Sequence, residues 1–330
     1  MPTVIATEHL TTSYGSRRGI EDLSFEVARG EIFGFLGPNG AGKSTTIRTL
    51  LDLLRPTSGS ARLFDLDSHR DAVAIHRRTG YLAGDVALYA RMTGGELLEY
   101  FGNLRGGADA ARVDALAERF GLDLSVAIRH LSHGNQQKVA LVQAFMHRPE
   151  LVILDEPTQG LDPLVQQEFI RLLEEMKADG GTVFLSSHVL SEVERVCDRV
   201  AIVREGRLVE VEHVADLTAR AFRYLTVRFD GDAPDGVLDG VPGVHGIERR
   251  GPVMRCTVQG DMDRVVKALA AHRIADLVSE KPTLEEIFLA FYGASEAATT
   301  PSGGDASPDA AAEDSAEAGA QDTGDSDDAP

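Results

Sequence analysis

Residues 37 to 45 read Gly-Pro-Asn-Gly-Ala-Gly-Lys-Ser-Thr, and no other stretch of this 330-residue chain restricts its fold as much. The run fits the pattern G-x-x-x-x-G-K-[ST]. Gly37, Gly40 and Gly42 permit backbone angles barred to residues with a Cβ, and they let N–H groups approach an anion closely. Pro38, Asn39 and Ala41 fill variable positions, Ser44 closes the motif, and Thr45 follows it directly. Lys43 adds a full positive charge, and a helix starting here adds roughly half a charge at its N-terminus. Ser44 offers a hydroxyl to Mg²⁺. Such a loop must join a strand to a helix. Glu31 to Leu36 is a compact apolar run, as a buried strand requires. Ser44 to Leu54 has helical apolar spacing (Ile47, Leu50, Leu51, Leu54) and stops before Pro56.

A second half of the site is expected far downstream. Leu151 to Leu154 reads as a buried strand and runs into Asp155-Glu156. A carboxylate at the carboxyl end of a parallel strand sits where ligands bind in open α/β sheets. Asp155 suits Mg²⁺, directly or through water. Glu156 suits a general base that polarises an attacking water.

The rest of the chain gives these two segments a frame. Residues 3 to 36 read as short strands. Residues 86 to 149 change character: Glu96 to Leu104, Ala110 to Phe120 and Asn135 to His147 all suit helices, which predicts a helical insert. Strand character returns at Leu151 and at Thr182 to Ser186, with a helix pattern over Pro163 to Lys177 between them. Strands alternating with helices argue for a parallel sheet covered by helices. Tyr224 to Phe229 and Val253 to Val258 read as strands, Met262 to Ala271 as a helix, and Gly236 to Gly246 as turns. Residues 216 to 293 are therefore expected to form a small α+β domain. After Ala294 the chain holds ten acidic residues, no Lys or Arg, and no apolar residue larger than Ala. Such a segment cannot offset its ordering entropy, so 294 to 330 reads as a disordered acidic tail.

The formal net charge of −19 disfavours general binding to nucleic-acid phosphates. No run approaches the roughly 18 consecutive apolar residues of a membrane helix, and no secretory signal is visible. A cytoplasmic chain is the expectation. Cys197 and Cys256 lack metal-ligand spacing and read as two unpaired thiols.

With its motifs in this order the sequence resembles the ATPase subunits of ABC transporters over about residues 3 to 215, which implies one ATPase domain spanning 1 to 215. The P-loop comes first. Leu131-Ser132-His133-Gly134-Asn135-Gln136-Gln137-Lys138 is similar to the family's signature, Leu151 to Glu156 to Walker B, and Gly160-Leu161-Asp162 to the D-loop. His188 resembles the switch histidine, and Tyr14 stands at the spacing of the adenine-stacking aromatic. The resemblance implies an α/β P-loop NTPase core with an antiparallel β subdomain and the helical insert. It implies ATP and Mg²⁺ as cofactors, Lys43, Glu156 and His188 in catalysis, and ATP sandwiched between two chains. Ser132 and the backbone of Gly134 would then come from the opposite subunit, and Asp162 would sit at the dimer seam beside the nucleotide. It further implies a separate transmembrane permease, a homodimer of ATPase subunits, and a place on the inner face of the cell membrane reached only through that permease.

Two features depart from the family. His133 and Asn135 stand where Gly and Gln are common in the signature. Gly84 occupies the position of the Q-loop glutamine, after Gly80-Tyr81-Leu82-Ala83, and either Asp85 or a water is expected to take over its role toward the metal. The ending Pro282 to Phe288 resembles the C-terminal extension of drug- and lipid-exporter ATPases. The function expected is an energising subunit of an exporter. The competing expectation is a soluble ABC-type ATPase acting on ribosomes or DNA, although neither a second cassette nor a long coiled-coil insert is present. A non-hydrolysing regulatory subunit is disfavoured by the intact Asp155-Glu156 pair.

Overall fold

The structure is a computed structural model describing residues 2–14, 17–107, 109–220, 222–283 and 286. The expected acidic tail lies outside them, as do Leu284, Glu285, Ile287 and Phe288 of the Pro282 to Phe288 ending.

Two long antiparallel strands open the chain, β1 (Thr3–Tyr14) and β2 (Arg17–Ala28). The sequence suggested shorter ones. Register shifts flank Thr7/Leu10, and His9 and Asp22 adopt left-handed backbone angles there. These bulges interrupt the two-residue alternation that identifies a strand in sequence. Strand β3 (Ile32–Leu36) follows, then helix α1 (Lys43–Leu50), β4 (Ser58–Leu63), β5 (Leu66–Asp67), α2 (Ala72–Arg78) and β6 (Thr79–Leu82). Helix α1 is shorter than its apolar spacing suggested. The N–H groups of Leu53 and Leu54 both turn back to the Arg48 carbonyl ahead of Pro56.

The stretch expected to be a helical insert contains α3 (Gly94–Leu104), α4 (Ala110–Arg119) and α5 (His133–Phe145). A reciprocal Thr93–Glu96 capping box starts α3. The chain continues through β7 (Leu151–Asp155), α6 (Pro163–Ala178), β8 (Thr182–Ser187), α7 (Leu190–Val196), β9 (Arg199–Arg204), β10 (Arg207–His213) and α8 (Val214–Arg220). Six strands form one sheet in the order β10-β9-β3-β8-β7-β6, parallel except for the edge strand β10. Strands β2-β1-β4-β5 form a second, antiparallel sheet.

Both faces of the parallel sheet are covered, so β3, β7 and β8 are buried at every residue. Alternation sends Phe33 and Phe35 of β3 to one face, where their rings meet Phe184 of β8 and Phe25 of the antiparallel sheet at 5.3–6.1 Å. Ile32 and Leu36 join the opposite cluster with α3 to α7. Burial of each such side chain contributes about 1.5–3 kcal/mol, which fixes β3 between two cores.

After α8 come β11 (Arg223–Phe229), β12 (Val244–Arg250), β13 (Val253–Val258), α9 (Met262–Leu269) and β14 (Ile274–Glu280). The four strands pair in the order β12-β13-β11-β14, all antiparallel, around a separate cluster that includes Leu225, Val227, Met254, Val265 and Leu269. Strand β12 begins inside the stretch read as turns. Among the described residues no helix is long and apolar enough to cross a membrane. Cys197 and Cys256 are free and buried.

Candidate active site

Strand register assembles the site. Leu36 of β3 stands beside Ser187 of β8, and Ser186 of β8 beside Asp155 of β7. The next residues along these strands, Gly37, His188 and Glu156, therefore leave the sheet at one level. This is the carboxyl end of the parallel strands, where open α/β sheets bind ligands.

The P-loop wraps this end. Gly42 has φ of +106°, a left-handed angle open to glycine, and a Cβ there would lie 2.7 Å from the Ile20 side chain. Lys43 begins α1 and is buried. Its Nζ donates to the carbonyls of Gly37 at 2.7 Å and Pro38 at 3.4 Å, and it stands 3.1 Å from Glu156 Oε1. A cavity of about 310 Å³ opens between Pro38, Asn39, Gly40, Lys43 to Thr45 and Glu156. The Tyr14 ring is half-exposed beside it, its hydroxyl 3.5 Å from Thr45 Oγ1.

Glu156 is held from several directions. Its backbone has φ of +49°, an uncommon angle for a residue with a Cβ. Its N–H donates to the carbonyl and the hydroxyl of Ser186, each at 3.2 Å. His188 reaches its Oε2 twice, through Nδ1 at 2.7 Å and the backbone N–H at 3.3 Å. Its Oε1 is buried, faces Lys43, and lacks an aligned hydrogen bond. Burial raises the carboxyl of nearby Glu192, opposed by the Thr158 hydroxyl that donates to it at 2.6 Å and reinforced by the charge of Glu156.

Asp155 is buried, and its Oδ1 accepts the Ser186 hydroxyl at 2.5 Å. Ser186 was not singled out in the sequence, yet it fixes both carboxylate residues. Gly84 approaches the other oxygen of Asp155: a Cβ at Gly84 would lie 3.2 Å from Oδ2. Asp85 is exposed, and among the described residues no hydrogen bond or ion pair joins it to Asp155 or Ser44. Ser44 and Asp155 offer oxygen donors, the set a hard cation such as Mg²⁺ takes.

The signature residues lie elsewhere. Ser132 caps α5, accepting the Asn135 N–H, and Asp162 caps α6, accepting from Leu164 and Val165. The two caps belong to one surface. A Cβ on Gly134 would lie 2.6 Å from the Gly160 carbonyl, and a Cβ on Gly160 would meet His133 at 2.9 Å. Gln137 ties α5 to the segment after Glu156 by donating to the Pro157 carbonyl at 3.3 Å. Ser132, Gly134 and Asp162 are not among the residues lining the P-loop cavity.

The profile of the ABC transporter family matches residues 20–159. The bacitracin transport ATP-binding protein of Bacillus licheniformis is 39% identical over 228 residues, covering 68% of this chain and 74% of that protein. The fluoroquinolones export ATP-binding protein of Mycobacterium tuberculosis is 32% identical over 295 residues, covering 88% and 93%. The solved structure of an ATP binding subunit of an ABC transporter superposes with a TM-score of 0.62 at 33% identity, over 66% of this chain and 92% of that one.

Proposed function

Because this chain belongs to the ATP-binding subunits of ABC transporters, an ATPase family, we propose that it hydrolyses ATP at the Lys43–Glu156–His188 cluster to power an exporter whose permease is a separate chain. The observation that carries this reading is the convergence of those three side chains at adjoining strand ends. Lys43 and the start of α1 bind the outer phosphates. Tyr14 stacks on the base. Glu156 takes a proton from the attacking water, and His188 holds its carboxylate in place. Ser44 and Asp155 would hold Mg²⁺, which would supply positive charge to neutralise the phosphates.

Two copies close on two nucleotides, each lending Ser132, Gly134 and Asp162 to the other. Their exclusion from the cavity beside Lys43 in a single chain supports this division. The same chain would meet its permease through an apolar face. Leu53, Tyr89, Tyr100 and Leu104 are exposed, and Leu51, Tyr81 and Phe101 help line a groove of about 290 Å³ beside them. Exposed aromatic and aliphatic patches mark interaction sites. Through that contact the chain sits at the inner face of the membrane. The relatives' names, bacitracin transport and fluoroquinolone export, favour an exporter of small drug-like compounds over action on ribosomes or DNA.

Glu156→Gln tests the proposal. Turnover is expected to fall by about 10²-fold or more, and the variant should elute as a dimer in ATP and a monomer without it. Undiminished turnover would remove Glu156 from its role as base. A monomer under both conditions would withdraw the homodimer.

A further inference from the structure

At the amino-terminal end of the parallel sheet, opposite the P-loop, a cavity of about 620 Å³ opens between α4, the turn from α5 into β7, and the end of α6. Its lining includes Arg29, Arg112, Arg148, Glu150, Glu175 and Asp179. The two glutamates are already engaged. Glu150 takes Arg78 through both oxygens, at 2.7 and 3.0 Å, and Arg29 as well. Glu175 takes both terminal nitrogens of Arg119 at 2.6 and 2.9 Å. Asp179 ends α6.

Arg112 and Arg148 are not matched in this way. The Arg112 Nε is enclosed without an acceptor, and among the described residues its guanidinium makes no hydrogen bond. Burial, and then the charge of Arg148, weaken its hold on its proton, partly offset by the charges of Glu175 and Asp109. Arg148 stands 3.7 Å from Asp109, and its side chain is 70% exposed at the rim. A buried, unpartnered donor costs free energy that an acceptor would recover. Two guanidinium groups facing one cavity are matched by an oxyanion with several acceptor oxygens.

We infer that this cavity is a second anion site, built on Arg112 and Arg148, for a compact phosphate-type dianion, either free phosphate or an exposed phosphomonoester. Its location ties it to the other end of the molecule. Helix α5 begins at the Ser132 cap, and the chain leaving it reaches the cavity through Phe145 and Arg148. Helix α6 begins at Asp162 and ends there, and β7 starts beside Glu150 and finishes at Asp155. The anion would therefore bind at the far ends of the elements that carry the signature, D-loop and Walker B residues.

The test uses the full chain carrying Lys43→Ala, which weakens phosphate binding at the P-loop by removing its full positive charge. Thermal unfolding is followed while sodium phosphate replaces sodium chloride at constant ionic strength. A saturable rise in the midpoint of roughly 2 °C or more is expected. Adding Arg112→Gln should abolish it, and Arg148→Gln should raise the phosphate concentration required several-fold. Arg148 is exposed, so that variant carries the test alone if Arg112→Gln does not fold. An equal rise in the arginine variants, or no saturable rise with no vesicle binding, overturns the site. Sedimentation with phosphatidic acid vesicles separates the sources. Binding lost in Arg148→Gln assigns a lipid headgroup, and a phosphate-dependent rise without sedimentation assigns a soluble anion.

Discussion

Single residues set the chemistry, and several of them were visible in the sequence because their constraints are local. The Gly spacing before Lys43 and the acidic pair closing an apolar run at Asp155-Glu156 need only a few neighbours to be read. Ser186 was not visible, because a serine ending a strand acquires meaning only when register sets it beside Asp155. Asp85 is the converse case. It was chosen for its charge one residue from the expected position, yet the backbone brings Gly84 to Asp155 and leaves Asp85 exposed. His188→Ala should lower turnover by about 10²-fold with nucleotide affinity little changed, since His188 holds the Glu156 carboxylate rather than the P-loop. Steady-state rates beside equilibrium nucleotide titration check this. Gly134→Ala places a Cβ 2.6 Å from the Gly160 carbonyl. It should cost about 1–3 kcal/mol of stability, read by denaturant unfolding.

At the scale of elements, α3 to α6 were read closely from their apolar spacing, α1 was overextended, and the short helices α2, α7 and α8 and several strands were not read. Helix α6 runs from Pro163 to Ala178 against an expectation of Pro163 to Lys177. Strands β1 and β2 were underestimated because bulges break their alternation. Strand β14 was not anticipated at all. It is exposed at six of seven positions, so burial left no periodic trace in Ile274 to Glu280. Helix α6 also shows one residue serving structure and site together. Asp162→Ala removes the acceptor of two backbone N–H groups at its start and should cost about 1 kcal/mol. Asp162→Asn retains an acceptor and should recover most of that stability in urea unfolding. Whether it also restores the ATP-dependent dimer separates the cap from the proposed contact across the pair.

For the whole molecule, acid is the condition that probes packing most directly. Burial, and then the charge of Arg105, depress His147 to about 4, against an ordinary value of 6.5. The folded chain thus favours neutral imidazole. As pH falls below 6.5 the unfolded chain binds the proton first, so stability declines until pH reaches about 4. The loss from this group is at most about 3 kcal/mol, and on the order of 2 kcal/mol once solvent screening of the partly exposed ring is allowed for. Urea midpoints at pH 7.5 and pH 5 should differ less in His147→Gln than in the parent. The close contact of Gly134 with Gly160 has a consequence of another kind. It makes the signature and the D-loop one solid plug, while the P-loop and Glu156 form a socket elsewhere on the same chain. Under the proposed pairing, a chain with a damaged socket and a chain with a damaged plug are complementary. Glu156→Gln and Gly134→Asp chains, each inactive alone, should regain turnover when mixed, because one of the two sites then joins an intact socket to an intact plug.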